Sequence, residues 1–182
     1  LKLVGGRAYG TCAVEAGWIP SPLLAIYTGD HMRAYREWLP GNCFEAVASI
    51  GGSFVSKNIE DYYLTPWDLD YGRIINFNHD FIGREALERM KDKPHRRKVT
   101  LEWHADDVLA VQASILHGKQ NGKFMEMPNA QYAAHPYDMV MSGSRMVGIS
   151  TYPSYLAVDH QWISLATIDE ADATLDREVT II

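Results

Sequence analysis

The sequence predicts an α+β chain in two units, a mixed first half and a mostly β second half. Three observations carry that prediction. Apolar residues at helical spacing, with start and stop signals, occur in the first part at Met32, Tyr35 and Leu39 and again at Ile82, Ala86, Leu87 and Met90. After Lys98 the apolar residues fall in short runs separated by Gly, Pro, Asp or Ser, as in a small barrel or sandwich. Between the two lies Lys91 to Lys98, a basic, Pro-containing stretch with the composition of a linker. The units are therefore expected at 1–92 and 93–182.

Each element has its own signal. Arg7 to Ala16 alternates weakly, which predicts a strand. Trp18-Ile19-Pro20-Ser21-Pro22 is an extended loop, because the residue before each Pro is pushed out of the helical region. Asp30 can cap a helix that Pro40-Gly41 stops. Asn58 to Asp70 is a loop dense in aromatic and acidic residues, and Arg73 to Phe77 is expected to be a short strand. A helix follows with Asp80 near its start, Ile82 on its apolar face and a Glu85/Arg89 pair on the other. Beyond the linker, Val99, Leu101 and Trp103 alternate on one strand face. Asp106 caps a helix through Leu116. Tyr137–Ser142, Arg145–Tyr152, Trp162–Ile168 and Glu178–Ile182 are strand candidates.

Composition narrows the function classes. The 182 residues are 47% hydrophobic and 22% charged, ordinary globular values that argue against disorder. A folded chain of this size is expected to expose roughly 9,000 Å². The net charge of −6 makes nucleic acid and anionic membranes poor partners. No stretch approaches the ~20 apolar residues of a membrane span. Cys12 and Cys43 are too few and too far apart for a disulfide framework or a C-x-x-C site. The seven histidines form no H-x-H or H-E-x-x-H motif, so no metal site is expected. With no secretory leader pattern, a cytoplasmic location is expected.

Three strings occur in an order that matters. His79-Asp80-Phe81-Ile82-Gly83-Arg84-Glu85-Ala86-Leu87 resembles the D-F-I-G-R-E-A-L segment of the glycine-cleavage T-protein (aminomethyltransferase) superfamily. Ala13-Val14-Glu15-Ala16-Gly17 stands where that family has L-R-L-E-A-G, and Met146 to Ser154 resembles its V-G-x-x-T-S-x-x-x-S-P stretch. Together they cover nearly the whole chain. Within the superfamily, Glu15-Ala16-Gly17-Trp18-Ile19-Pro20-Ser21-Pro22, Tyr35-Arg36-Glu37-Trp38-Leu39-Pro40 and Asn58 to Leu69 resemble the tetrahydrofolate-dependent aryl O-demethylases acting on vanillate, syringate and 3-O-methylgallate. Two departures from the true T-proteins matter: Ala13 and Val14 replace the Arg-containing L-R, and Tyr27-Thr28-Gly29-Asp30 comes late, after a Pro-rich insertion. The Cys of the iron–sulfur-assembly folate binders is absent around Phe81 to Glu85.

The resemblance implies the end of a folate-binding domain over 1–92, a C-terminal antiparallel β-barrel over 93–182, and tetrahydrofolate as cofactor. It implies transfer of a methyl group from a methoxylated aromatic acid to the folate N5. A carboxylate can accept both donors on one edge of a pterin, and Glu15, in the family's E-A-G position, is the residue the resemblance implies for it. Tyr27 and Trp67 are placed beside it. A departing phenolate needs a proton or strong hydrogen bonds, and a Tyr hydroxyl matches a phenol in pKa; Tyr62, Tyr63 or Tyr27 could donate it, with Tyr62 and Tyr63 ranked first as catalytic candidates. Packing is the plainer reading of any one of these aromatics taken alone. Arg36 or Arg73 could hold a substrate carboxylate, though a solvated Arg serves as well.

The remaining readings keep the fold and change the role. They are aminomethyl transfer in glycine cleavage, demethylation of a sulfonium or methylamine donor, or a folate-binding module without catalysis. Both ends, Leu1-Lys2-Leu3-Val4 and Val179-Thr180-Ile181-Ile182, look cut from a longer protein. The expected partner is thus the missing N-terminal part of the same chain, and the 182 residues alone are expected to show little or no demethylase activity.

Overall fold

The computed structural model describes residues 2–118 and 122–182. Its first element is a helix, α1 (Gly6–Glu15), where alternation predicted a strand. The reason is a small apolar face: Gly10, Ala13 and Val14 fall together at helical spacing, and Ala13 and Val14 are buried. Gly17 ends the helix at φ +68°. Its N–H bonds the Val14 carbonyl at 2.9 Å and the Trp18 N–H bonds that of Ala13 at 2.8 Å. This is a Schellman cap, and it needs a residue that tolerates positive φ.

From Trp18 to Glu102 the chain carries mostly loops and short elements. Ile19 and Leu23 are buried in the Pro-stiffened segment. A 3₁₀ turn at Asp30–Met32 leads into α2 (Arg33–Trp38), and α3 (Phe44–Val47) leads into β1 (Ile50–Gly51). The strand expected at Arg73 to Phe77 does not form. A 3₁₀ turn covers Gly72–Ile74, and Gly72 lies so close to the Trp67 ring that a side chain there would collide with it. Helix α4 (Arg84–Met90) begins later than predicted, behind Gly83 at φ +93°. Ile82 is therefore outside the helix and fully exposed. The basic run is also shorter as a connection, because Arg96, Arg97 and Lys98 already belong to β2 (Arg96–Glu102).

The second half follows its periodicity closely. Helix α5 spans Ala105–His117 and stops at Gly118. After the two-residue β3 (His135–Pro136), which pairs in parallel with β1, come β4 (Asp138–Ser142), β5 (Arg145–Leu156), β6 (Gln161–Asp169) and β7 (Thr180–Ile181). They form an antiparallel sheet of order β2-β6-β5-β4-β7. The expected barrel is not closed. β7 pairs with β4 through only two residues, and β2 and β7 stay unpaired with each other. The sheet nonetheless curls, since Val99 and Leu101 of β2 and Val179 beside β7 pack against Val140, Val147, Ala166 and Ile168.

Two core clusters join the halves. Val14 and Ile19 pack with Leu156, Ile163 and Leu165, and Leu23 and Tyr62 pack with Tyr137 and Ile149. The accessible surface is 12,191 Å². That exceeds the roughly 9,000 Å² expected of a compact monomer of this size. Much of the apolar excess lies before residue 92, where Trp38, Phe44, Val47, Val55 and Ile74 are each more than half exposed.

Candidate active site

The Pro-stiffened loop after α1 contains few backbone ladder bonds, so its carbonyls and amides must find other partners. Tyrosines supply several of them. The Tyr152 hydroxyl donates to the Ser21 carbonyl at 2.8 Å, and the Tyr137 hydroxyl accepts from the Leu23 N–H at 3.1 Å. The Tyr63 hydroxyl accepts from the Tyr27 N–H at 3.1 Å, while that of Tyr27 donates to the Glu45 carbonyl at 2.7 Å. His135 Nδ1 also lies 3.1 Å from the Ser21 carbonyl. A carbonyl only accepts, so this bond fixes the Nδ1–H tautomer. Burial lowers the His135 pKa and raises those of Tyr152 and Tyr27, and it pushes Tyr137 up to about 12.

Three of the expected site residues come together here. Tyr27, Tyr62 and Tyr63 all pack in the cluster built on Leu23, Tyr62, Tyr137 and Ile149. The adjacent Tyr62 and Tyr63 differ sharply. Tyr62 is buried between Phe54 and Tyr137, and its hydroxyl accepts from the Ser56 N–H at 2.8 Å and donates to the Phe54 carbonyl at 3.4 Å. Tyr63 is half-buried, and its hydroxyl accepts one N–H without giving its own proton to any described residue.

Glu15 and Trp67 lie apart from this cluster. Glu15 is the last residue of α1, exposed, with no hydrogen-bond or ion-pair partner for its carboxylate among the described residues. Its Val14 neighbour faces the other core cluster, and Leu64 packs against both clusters. Trp67 stacks on His95 with ring centroids 4.3 Å apart and planes 6° from parallel, so one face is already occupied. As an acceptor for a pterin, Glu15 fits by chemistry: a free carboxylate can accept from an edge with two donors. Trp67 offers only its remaining face, and the hydroxyl of Tyr27 is engaged by Glu45.

Arg36 does not offer its guanidinium to a substrate. It donates to the carbonyls of Ile26 at 2.8 Å and of Thr28 and Gly29, both at 3.0 Å, and so clamps the turn before α2. Arg73 is exposed and lies 3.5 Å from Asp70. No group of His, Cys, Asp and Glu among the described residues is arranged to hold a metal ion. Among the described residues, no helix is long and apolar enough to cross a membrane.

One polar node was not anticipated. Asp138, at the start of β4, is buried and accepts from the Ser53 N–H at 3.0 Å, from the Tyr132 hydroxyl and from Lys123. The Lys123 ammonium also sits 4.1 Å from the Tyr132 ring centroid. Burial and the Asp138 carboxylate drive the Tyr132 pKa far up. The available signal was a charged residue at the mouth of an apolar strand, because a carboxylate there must find donors.

Sequence comparison gives two informative relatives. A syringate O-demethylase of Sphingobium sp. (strain NBRC 103272 / SYK-6) is 43% identical over 182 residues, all of this chain and 39% of that protein. A sesamin methylene transferase of Sinomonas sp. (strain No.22) is 30% identical over 191 residues, 98% of this chain and 42% of that protein. The chain spans about two fifths of the length of the curated relatives it matches. No protein-family model matches it.

Proposed function

We propose that this chain is part of an enzyme that removes a one-carbon group from an aryl ether and passes it to tetrahydrofolate, with a methoxylated aromatic acid as donor. The observation that carries the reading is 43% identity to a syringate O-demethylase along the whole chain. Methylene transfer from an aryl ether is the second reading, favoured by the sesamin methylene transferase relative. Both chemistries break the bond between the ether oxygen and its one-carbon group, leave the oxygen on the ring and release a phenol.

Bound tetrahydrofolate would supply its secondary amine N5 as the acceptor of the one-carbon group. Glu15 would bind the donor edge of the pterin with its free carboxylate, and Trp67 would line the pocket beside it. Tyr63 donates its proton to the departing phenolate oxygen, its hydroxyl held by the Tyr27 N–H. Tyr62 positions the same loop from inside the core. Further polypeptide, as in the longer relatives, would cover the apolar surface around Trp38, Phe44 and Val47 and complete the pocket, and turnover is expected only in that longer form.

The test is Tyr63→Phe in the longer polypeptide, assayed with syringate, vanillate and tetrahydrofolate. A general acid is worth about 10²–10⁴ in rate, so kcat should fall by about that factor. It should fall far less for a nitro-substituted methoxyarene, whose phenolate leaves without a proton. Equal losses on both substrates, or none, remove Tyr63 from the reaction. Glu15→Gln should weaken tetrahydrofolate binding by about 1.5–3 kcal/mol, read by calorimetry.

A further inference from the structure

The sheet has a long free edge. Strand β2 pairs with β6 along its whole length and with no other strand among the described residues. The Trp103 N–H bonds the Trp162 carbonyl at 2.9 Å, and the ladder alternates from there, so Val99 and Leu101 turn their backbone groups toward β6. Arg96, Lys98, Thr100 and Glu102 turn theirs out of the sheet, where another strand or water can meet them. An open edge of this kind is a template for a further strand.

Charges usually guard such an edge, because a guard of one sign repels a copy of itself. On β2 both signs are present and they are sorted along the edge. Lys91, Lys93, Arg96, Arg97 and Lys98 stand at or before its start. Glu102 ends the strand, and Asp106 and Asp107 follow in the first turn of α5. These three carboxylates are exposed. Among the described residues, none of the three carboxylates or of the basic residues just named takes part in an ion pair. Arg96 stands opposite Asp169 of β6, but Arg145 holds that carboxylate at 3.2 Å.

An antiparallel copy of the edge complements this order. With Val99 opposite its own equivalent, Arg96 falls opposite Glu102 and Lys98 opposite Thr100, each twice. In that register the outward-turned residues pair only with one another, so their N–H and carbonyl groups meet. A slip of one residue would set them against residues whose groups are spent on β6. A parallel copy in step would put cation on cation, and like charges directly opposite one another are unfavourable. We propose that the β2 edge is a self-association surface, through which two copies of this chain pair about a two-fold axis at Val99 and join their sheets by Arg96–Glu102 contacts. One strand edge is small beside the ~1,200 Å² of a stable interface, so the association is weak and reversible. It is independent of the reaction proposed above.

The experiment is sedimentation velocity of the chain over a range of concentrations. It should show a monomer–dimer equilibrium that moves toward monomer in about 1 M salt, where charges are screened within ~3 Å. Arg96→Glu and Glu102→Arg each turn both cross-strand pairs into like-charge contacts, and each should weaken dimerisation at least about tenfold. An equimolar mixture of the two variants rebuilds both pairs and should dimerise as the unaltered chain does. That recovery separates β2 pairing from association through the apolar face around Trp38, which neither reversal touches. Thr100→Pro removes an outward N–H and no bond to β6, and should give a folded monomer. Without any variant, amide exchange at Lys98 and Thr100 should slow as the chain is concentrated. A chain still monomeric at about 1 mM, a dimer that neither reversal weakens, a mixture that stays monomeric, a dimer that survives Thr100→Pro, or exchange at both amides that ignores concentration would each overturn the proposal.

Discussion

The sheet and the segment before it are held by different forces. In the sheet, Val140, Leu165 and Ala166 are 0% exposed and the strand backbones satisfy one another across β2-β6-β5-β4. Before residue 92, by contrast, Trp38 is 74% and Ile74 71% exposed, and polar staples do much of the organising. Arg36 clamps three carbonyls, and Tyr27, Tyr63, Tyr137 and Tyr152 pin the Pro-rich loop to its surroundings. Apolar burial and laddered hydrogen bonds make the sheet self-sufficient. Staples fix a loop's path without removing its apolar face from water, so that face stays available for cover.

The contrast can be broken at its strongest point first. Asp138→Ala leaves the Tyr132 hydroxyl and the Ser53 N–H without their acceptor, at about 1–3 kcal/mol for each buried group left unpaired, and frees the exposed Lys123 ammonium. Urea denaturation should show that loss, and a change under about 1 kcal/mol would mean the node is solvated after all. Arg36→Ala should cost about 1–3 kcal/mol and expose residues 24–31 to limited proteolysis while the sheet stays protected. Uniform loss of protection would mean the staples and the sheet are one cooperative unit.

A pH effect tests the junction between the two regions. The folded pKa of His135 lies below its unfolded value because burial disfavours the imidazolium. The unfolded chain therefore binds the extra proton first, and the contribution is complete above the unfolded pKa of about 6.5. It is lost as pH falls from there toward the folded pKa. Denaturation midpoints should decline over that window, and His135→Gln should flatten the decline. An equal slope in the variant would assign the effect elsewhere. The smallest effect is expected at Trp38→Ser, where stability of the chain should change by no more than about 0.5 kcal/mol. A loss of 2 kcal/mol or more, roughly the value of a buried aromatic, would show that this face is already covered.

Legibility followed periodicity. Helix α5 and strands β2, β4, β5 and β6 repeat their pattern over enough residues to be read without a partner, and Gly118 marks the end of α5. Arg7 to Ala16 misled because its weak alternation hid the Gly10–Ala13–Val14 face, which has meaning only against the sheet. Arg73 to Phe77 had strand composition, yet the approach of Gly72 to Trp67 imposed a turn. At the candidate site, the residue types were readable and the roles were not. Tyr62 and Tyr63 are neighbours of one type, and only packing sends one into the core and leaves the other with an unspent proton.

The local features were therefore written in the chain: the Pro-stiffened loop, the tyrosine-rich segment and the short strands. Tertiary structure decided that the sheet stays open, that Lys123, Tyr132 and Ser53 converge on Asp138, and that the first half keeps its apolar face exposed. The physical reason is range. Propensity, capping and periodicity act within a few residues, whereas ladder register and the pairing of buried polar atoms join positions tens of residues apart.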